Sequence, residues 1–286
     1  MTESLQKKVN HAIKLIQAAD KRAKEHKQPL EICYSGGKDS DVILELAKMS
    51  GVKYRAIYRN TTIDPPGTIA HARSKNVEVV QPKMTFREVL HKSGLPSRFR
   101  RTCCDKLKEY KILDYAVLGI RRDESKKRTK LYTEPEICRV YNKKEEVIQY
   151  LPLLEWTAAD VSEFLTERGV KCHSLYYDKN GAFHVERRLG CIGCPLASKK
   201  QRLEEFTRYP KMVRFYIKET QVFLDNHPTS KIHSYFKNAY EWFVFALYCD
   251  KLDEFRLKFG GENLFGSKID CKEYLEQKFN IKFKRL

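Results

Sequence analysis

The sequence predicts an α/β fold, a mainly parallel doubly wound sheet followed by a helical C-terminal region. Three observations carry this prediction. LEICY (30–34), VKYRAIY (52–58), VEVV (77–80) and YAVLGI (115–120) are short apolar or alternating runs rich in β-branched and aromatic residues, the pattern of strands. Helix-length segments separate them, and such alternation builds βαβ units with parallel strands. Beyond residue 150 the strand patterns give way to helical ones.

The elements follow in order. MTESLQKKVNHAIKLIQAADKRAKEHK reads as an amphipathic helix with Val9, Ile13, Ile16 and Ala19 on one side. After the first strand, DVILELAKM (41–49) is helical, and Pro65, Pro66 and Gly67 close off the second strand before another helical stretch. TFREVLHKSG ends as a helix at Gly94, and a further helix is expected from Cys104 to Asp114. Thr157 and Gly169 bracket a helix in EWTAADVSEFLTERG, and residues 200–250 read as two long helices. Their aromatics, including Tyr209, Phe215, Tyr216, Phe223, Tyr235, Phe236, Tyr240, Trp242 and Phe243, are expected in the core. With no low-complexity linker, the expected division lies near residue 155. It separates an α/β domain (1–155) from a mostly helical, CxxC-containing region (156–286) packed on it.

Composition narrows the function classes. No apolar run reaches the roughly 18 residues of a membrane helix, and the N-terminus has no apolar leader, so a cytoplasmic protein without membrane association is expected. Lysine and arginine number 55 against 37 acidic residues, a net charge of +18, which favours nucleotides or nucleic acid as partners. Nine cysteines, an odd count, point to ligand or redox chemistry rather than a disulfide framework. Cys33, Cys138, Cys172, Cys249 and Cys271 have no partner spacing and are expected as small buried hydrophobes, and His173 and His184 as structural histidines.

The turn SGGKDS (35–40) lies between a strand and a helix, where backbone N–H groups and the helix dipole suit an anion. Gly36 and Gly37 permit close approach, Ser35 and Ser40 add hydroxyls, and Lys38 adds a mobile charge. It is not a Walker A loop, which would need Gly at Ile32 and Ser or Thr at Asp39. The hexapeptide resembles the signature of the PP-loop ATP pyrophosphatases. That resemblance implies an adenine nucleotide α-hydrolase-like fold and ATP with Mg2+, bound by Ser35, Gly36, Gly37, Lys38, Asp39 and Ser40. Cleavage would fall between the α and β phosphates.

RTCCDKLK (101–108), GIRRDES with Arg128 following, and GCIGCPL (190–196) occur in the order found in the phosphoadenosine phosphosulfate reductase family. This second resemblance implies substrate-anion contacts by Arg121, Arg122, Glu124, Ser125 and Arg128, with Lys38, Asp39 and Arg121 as the catalytic set. The adjacent pair Cys103 and Cys104, then Cys191 and Cys194 after 86 intervening residues, is similar to the 4Fe-4S pattern of the adenylylsulfate reductase branch. Chemistry alone also admits a tetrahedral zinc or free thiols. These 286 residues hold no Glu-Cys-Gly-Leu-His motif, which supplies the reductases' nucleophile. With the intact loop, this favours an ATP pyrophosphatase that adenylates a DNA or tRNA acceptor for sulfur transfer, helped by a sulfur donor protein or modification complex. A sulfite-releasing reductase and a non-catalytic ATP-binding subunit are the alternatives.

Overall fold

In the computed structural model, residues 1–109, 111–141, 145–261, 266 and 268–283 are described. The elements run α1 (Glu3–Glu25), β1 (Leu30–Tyr34), α2 (Lys38–Ser50), β2 (Tyr54–Arg59), α3 (Thr68–Ser74), β3 (Glu78–Val80), α4 (Phe86–Ser93) and β4 (Tyr115–Val117). They continue with α5 (Lys126–Leu131), β5 (Glu136–Tyr141), β6 (Glu145–Tyr150), α6 (Ala158–Glu167), α7 (Lys199–Arg208), α8 (Pro210–Asn226), α9 (Ala239–Tyr248), α10 (Leu252–Phe259) and α11 (Cys271–Phe279).

The chain forms two compact units, and the division differs from the one expected near residue 155. The first unit comprises Met1–Pro82 and Lys108–Gly190, the second Lys83–Leu107 and Cys191–Leu286. The boundary moves because α6 and the segment after it complete the core of the sheet unit: Val161, Phe164, Leu165 and Tyr176 are buried in the same cluster as Ile32 and Val42. Residue 155 therefore falls inside a core, where no boundary forms.

The first unit holds one six-stranded sheet of order β3-β2-β1-β4-β6-β5. All neighbours are parallel except β5 and β6, which form an antiparallel edge pair. These two strands were not anticipated, because EICRVY and EEVIQY are too charged to read as buried runs. Ile32 pairs with Ala56 on one side and Val117 on the other, placing β1 at the centre. The chain winds outward from β1 through β2 and β3, then crosses to β4 on the opposite side. This makes the gap between the ends of β1 and β4 the topological switch point, where open α/β sheets bind ligands.

Local chemistry sets the boundaries. Thr2 caps α1 by accepting from the Leu5 N–H, and Leu5, Val9, Ala12, Ile16, Ala19 and Ala23 recur at helical spacing on its buried face. Capping boxes start α4 at Thr85 and α6 at Thr157, each worth about 1 kcal/mol. The helix expected from Cys104 to Asp114 is a single π-helical turn, Cys104–Lys108. Lys111 adopts a left-handed φ of 48°, which ends helical geometry before β4. Cys138 is exposed rather than buried, because it lies on the outward face of the edge strand β5.

The second unit is helical, with three helices across 199–248 where two were expected. Its core is aromatic: Tyr216, Phe223, Phe236, Tyr240, Trp242 and Phe243 are buried, Tyr209 and Phe215 are half-buried, and Tyr235 is exposed. Among the described residues no helix is long and apolar enough to cross a membrane.

Candidate functional site

The turn between β1 and α2 is shaped by backbone, not by side-chain bulk. Gly36 has φ 79°, and a Cβ there would stand 2.8 Å from Thr68 Cγ2 in α3. Gly37 caps α2 with no side-chain hydrogen bond, so the helix start carries N–H groups that no capping side chain takes. The Ser40 hydroxyl donates to the Gly37 carbonyl at 2.7 Å, and Ser35 Oγ lies 3.3 Å from Ser40 Oγ. From outside the turn, the Tyr176 hydroxyl accepts from the N–H groups of Lys38 and Leu189, both at 3.2 Å.

Three charged side chains meet beside this turn. Lys38 Nζ lies 3.2 Å from Asp39 Oδ2, and Arg121 Nε donates to Asp39 Oδ1 at 2.7 Å. Lys38 and Arg121 are only 6% and 3% exposed. Arg121 arrives from the far side of the switch point, after β4, and also contacts Asp123 at 3.1 Å and the Trp156 carbonyl at 3.4 Å. Close approach is possible because Gly119 lies against the Asp39 backbone: a Cβ there would be 3.0 Å from the carbonyl oxygen. Asp39 bridges the two buried cations while Asp123 meets Arg121 from its other side, and an anion bound beside Lys38 and Arg121 would further offset the cost of burying them. Lys38 also sits over the Tyr176 ring, 5.6 Å from its centroid.

The arginine-rich segment divides in two. Arg128 pairs with Glu124, and its pKa is lowered first by burial and next by Arg188, with Arg121 adding to the repulsion. Arg128 thus belongs to the same positive environment as Arg121. Ser125 caps α5 by accepting from the Arg128 N–H at 3.2 Å. Arg122 is held by backbone and carboxylate partners. Its guanidinium donates to the Tyr132 carbonyl at 2.8 Å, to the Thr133 carbonyl and to Glu155, bracing the backbone.

A buried network behind α2 was not anticipated. Tyr34 donates to Asp41 at 2.5 Å, and His71 Nε2 lies 3.1 Å from the same carboxylate. His173 stands edge-on to His71, ring centroids 5.8 Å apart. Asp41 directly follows SGGKDS, a signal available in the sequence, whereas Tyr176 and His173 reach the site only through the fold.

The four motif cysteines all fall in the second unit. Cys103 is raised well above the usual thiol range, first by its hydrogen bond with Cys104, then by burial, Cys104, Cys191 and Cys194. Burial, then Cys191, Cys194 and Cys103, also raise Tyr216. Cys104, Cys191 and Cys194 thus all act electrostatically on Cys103. The CxxC turn is held tightly: Cys194 N–H donates to the Cys191 carbonyl at 3.2 Å, Gly193 N–H to Glu205 at 2.7 Å, and Tyr216 hydroxyl to the Ile192 carbonyl at 2.8 Å. Gly193 has φ 73°, and a Cβ there would lie 2.3 Å from the Phe206 ring. Among the described residues, no group of three or more His, Cys, Asp or Glu side chains is preset in coordinating geometry. Four thiolates are nevertheless a donor set whose chemistry suits a thiolate-bound cluster.

A sheet with a glycine-bent anion turn at its switch point, flanked by a buried lysine and arginine, defines a PP-loop α/β protein. The model of the phosphoadenosine phosphosulfate reductase domain matches residues 29–197, and the chain belongs to that family. It is 30% identical over 225 residues to an uncharacterized protein of Methanocaldococcus jannaschii, covering 73% of this chain and 51% of that one. It is 27% identical over 229 residues to sulfate adenylyltransferase subunit 2 of Pseudomonas aeruginosa, covering 64% of this chain and 71% of the relative. The chain spans about half the length or less of its archaeal relatives. A crystal structure of phosphoadenylyl-sulfate reductase from Candida auris aligns with 67% of this chain and 96% of its own, at 19% identity and TM-score 0.42.

Proposed function

We propose that the chain is an ATP pyrophosphatase that adenylates an acceptor, with DNA and tRNA as the candidates, for sulfur transfer. The observation that carries this reading is Asp39 bridging Lys38 and Arg121 at the intact turn. An acceptor oxygen attacks the α phosphorus, the bond bridging to the β phosphate breaks, and pyrophosphate leaves with the electron pair. Lys38, Arg121 and the N–H groups at the start of α2 stabilise the charge developing on pyrophosphate. Asp39 positions the two cations, and Arg128 adds positive potential. Mg2+ accompanies the triphosphate and neutralises part of its charge. A sulfur nucleophile from a donor protein then displaces AMP from the activated acceptor. The relationship to an adenylyltransferase subunit supports nucleotide cleavage rather than sulfonucleotide reduction.

Cys103, Cys104, Cys191 and Cys194 would hold the 4Fe-4S cluster, which when bound supplies a redox-active or sulfur-carrying centre. The same thiols suit zinc, and iron and sulfide analysis of anaerobically purified protein separates the two. The activity test incubates that protein with ATP and Mg2+, with and without tRNA or DNA. Acceptor-stimulated release of AMP and pyrophosphate, reduced about a hundredfold or more in Lys38→Ala, is expected. Sulfite released from a sulfonucleotide without ATP would replace this reading with the reductase one.

A further inference from the structure

The turn at residues 97–100 of the second unit presents an aromatic ring that the fold does not use. Phe99 is 99% exposed. Its backbone is braced nonetheless: Ser97 N–H donates to the Arg100 carbonyl at 3.1 Å, and Arg100 N–H to Ser97 Oγ at 3.0 Å. Arg98 Nε donates to the Pro195 carbonyl at 3.1 Å, tying the turn to the residue after Cys194. Full exposure forgoes the roughly 1.5–3 kcal/mol that burying a phenylalanine contributes. Arg98 and Arg100, both exposed, flank the ring, and Arg101 follows.

An exposed ring on a hydrogen-bonded turn, with an exposed arginine on each side of it in the chain, combines the two features that bind unpaired nucleotides, a stacking face and charges for the phosphates. One ring and the partly exposed Leu196 are too little apolar surface for a protein interface, which buries roughly 1,200–2,000 Å2. A duplex offers the ring no open base face. The net charge of +18 has the complementary sign. We propose that this turn binds single-stranded nucleic acid, one unpaired base stacking on Phe99 with Arg98 and Arg100 on the flanking phosphates. The bound strand then lies beside the cysteine-bearing segments, since Cys103 is four residues further on and Arg98 bonds next to Cys194. This deepens the nucleic-acid acceptor in the reading above and rests on it only for its role.

Binding is measured without ATP, so the two ideas fail separately. Fluorescence anisotropy of the full chain with labelled RNA and DNA oligonucleotides of about 12 nucleotides, single-stranded and duplex, compares wild type with Phe99→Ala and Phe99→Tyr. Single strands are expected to bind more tightly than duplexes. Phe99→Ala should weaken them about tenfold, with the salt dependence kept, and Phe99→Tyr should stay within about threefold. The RNA and DNA arms identify the preferred strand, and either preference supports the proposal. Equal binding by wild type and Phe99→Ala, duplex binding as tight as single-strand binding, or no oligonucleotide binding at all would overturn it. Because the side chain is exposed, unchanged circular dichroism is expected for both variants. Stacking with no pyrophosphate release would sink the adenylation reading and leave this proposal standing.

Discussion

At the scale of the residue, the site depends on positions where an added atom or proton cannot be absorbed. Gly36→Ala forces a Cβ toward Thr68 in a left-handed backbone, so the turn must distort. Isothermal titration is expected to show pyrophosphate affinity falling at least tenfold while the variant remains folded. His173 carries the second residue-level consequence. Burial, and then His71, hold its pKa below the usual histidine value near 6.5. Above pH 6.5 both folded and unfolded chains keep it neutral. As pH falls through the window below 6.5, the unfolded chain takes up the proton first, so stability declines until the folded value is passed. Urea midpoints should therefore drop between pH 7.5 and 5.5, and His173→Gln should flatten that slope. An unaltered slope would remove His173 from the account.

Elements show what was legible in the sequence and why. SGGKDS could be read because an anion turn is a backbone device, and backbone devices are written in glycine and helix-start residues. The cysteine pairs could be read because they recur as pairs at short spacing. The bonds of Arg122 to two carbonyls and Glu155 were not legible, because a charge in sequence does not reveal its partners. Strands β5 and β6 were hidden because charged residues interrupt both runs, and the edge strand β5, with one exposed face, needs little apolar content. At this scale Gly193→Ala tests the CxxC turn. A Cβ would meet the buried Phe206 ring, and overpacking of that kind costs about 1–3 kcal/mol. The thermal unfolding midpoint should fall accordingly.

On the scale of the whole molecule, chain topology explains two patterns that sequence order obscures. The sheet unit is interrupted after Pro82 and resumed at Lys108, and the second unit takes up the chain again at Cys191. Two separate visits to one unit bring Cys103 within electrostatic reach of Cys191 and Cys194, which accounts for the long gap between the pairs. The switch point between β1 and β4 likewise unites Asp39 with Arg121, residues distant in sequence. Fold class followed from strand and helix alternation, but the division into units did not, because a boundary that the chain crosses three times leaves no linker to recognise.

The central claim is that this switch-point site cleaves ATP between its α and β phosphates. The most direct measurement separates the nucleotide and phosphate products after incubation with ATP, Mg2+ and a nucleic-acid acceptor. AMP and pyrophosphate in equal amounts, both lost in Lys38→Ala, are predicted. ADP and inorganic phosphate, or intact ATP in the presence of every acceptor, would contradict the account.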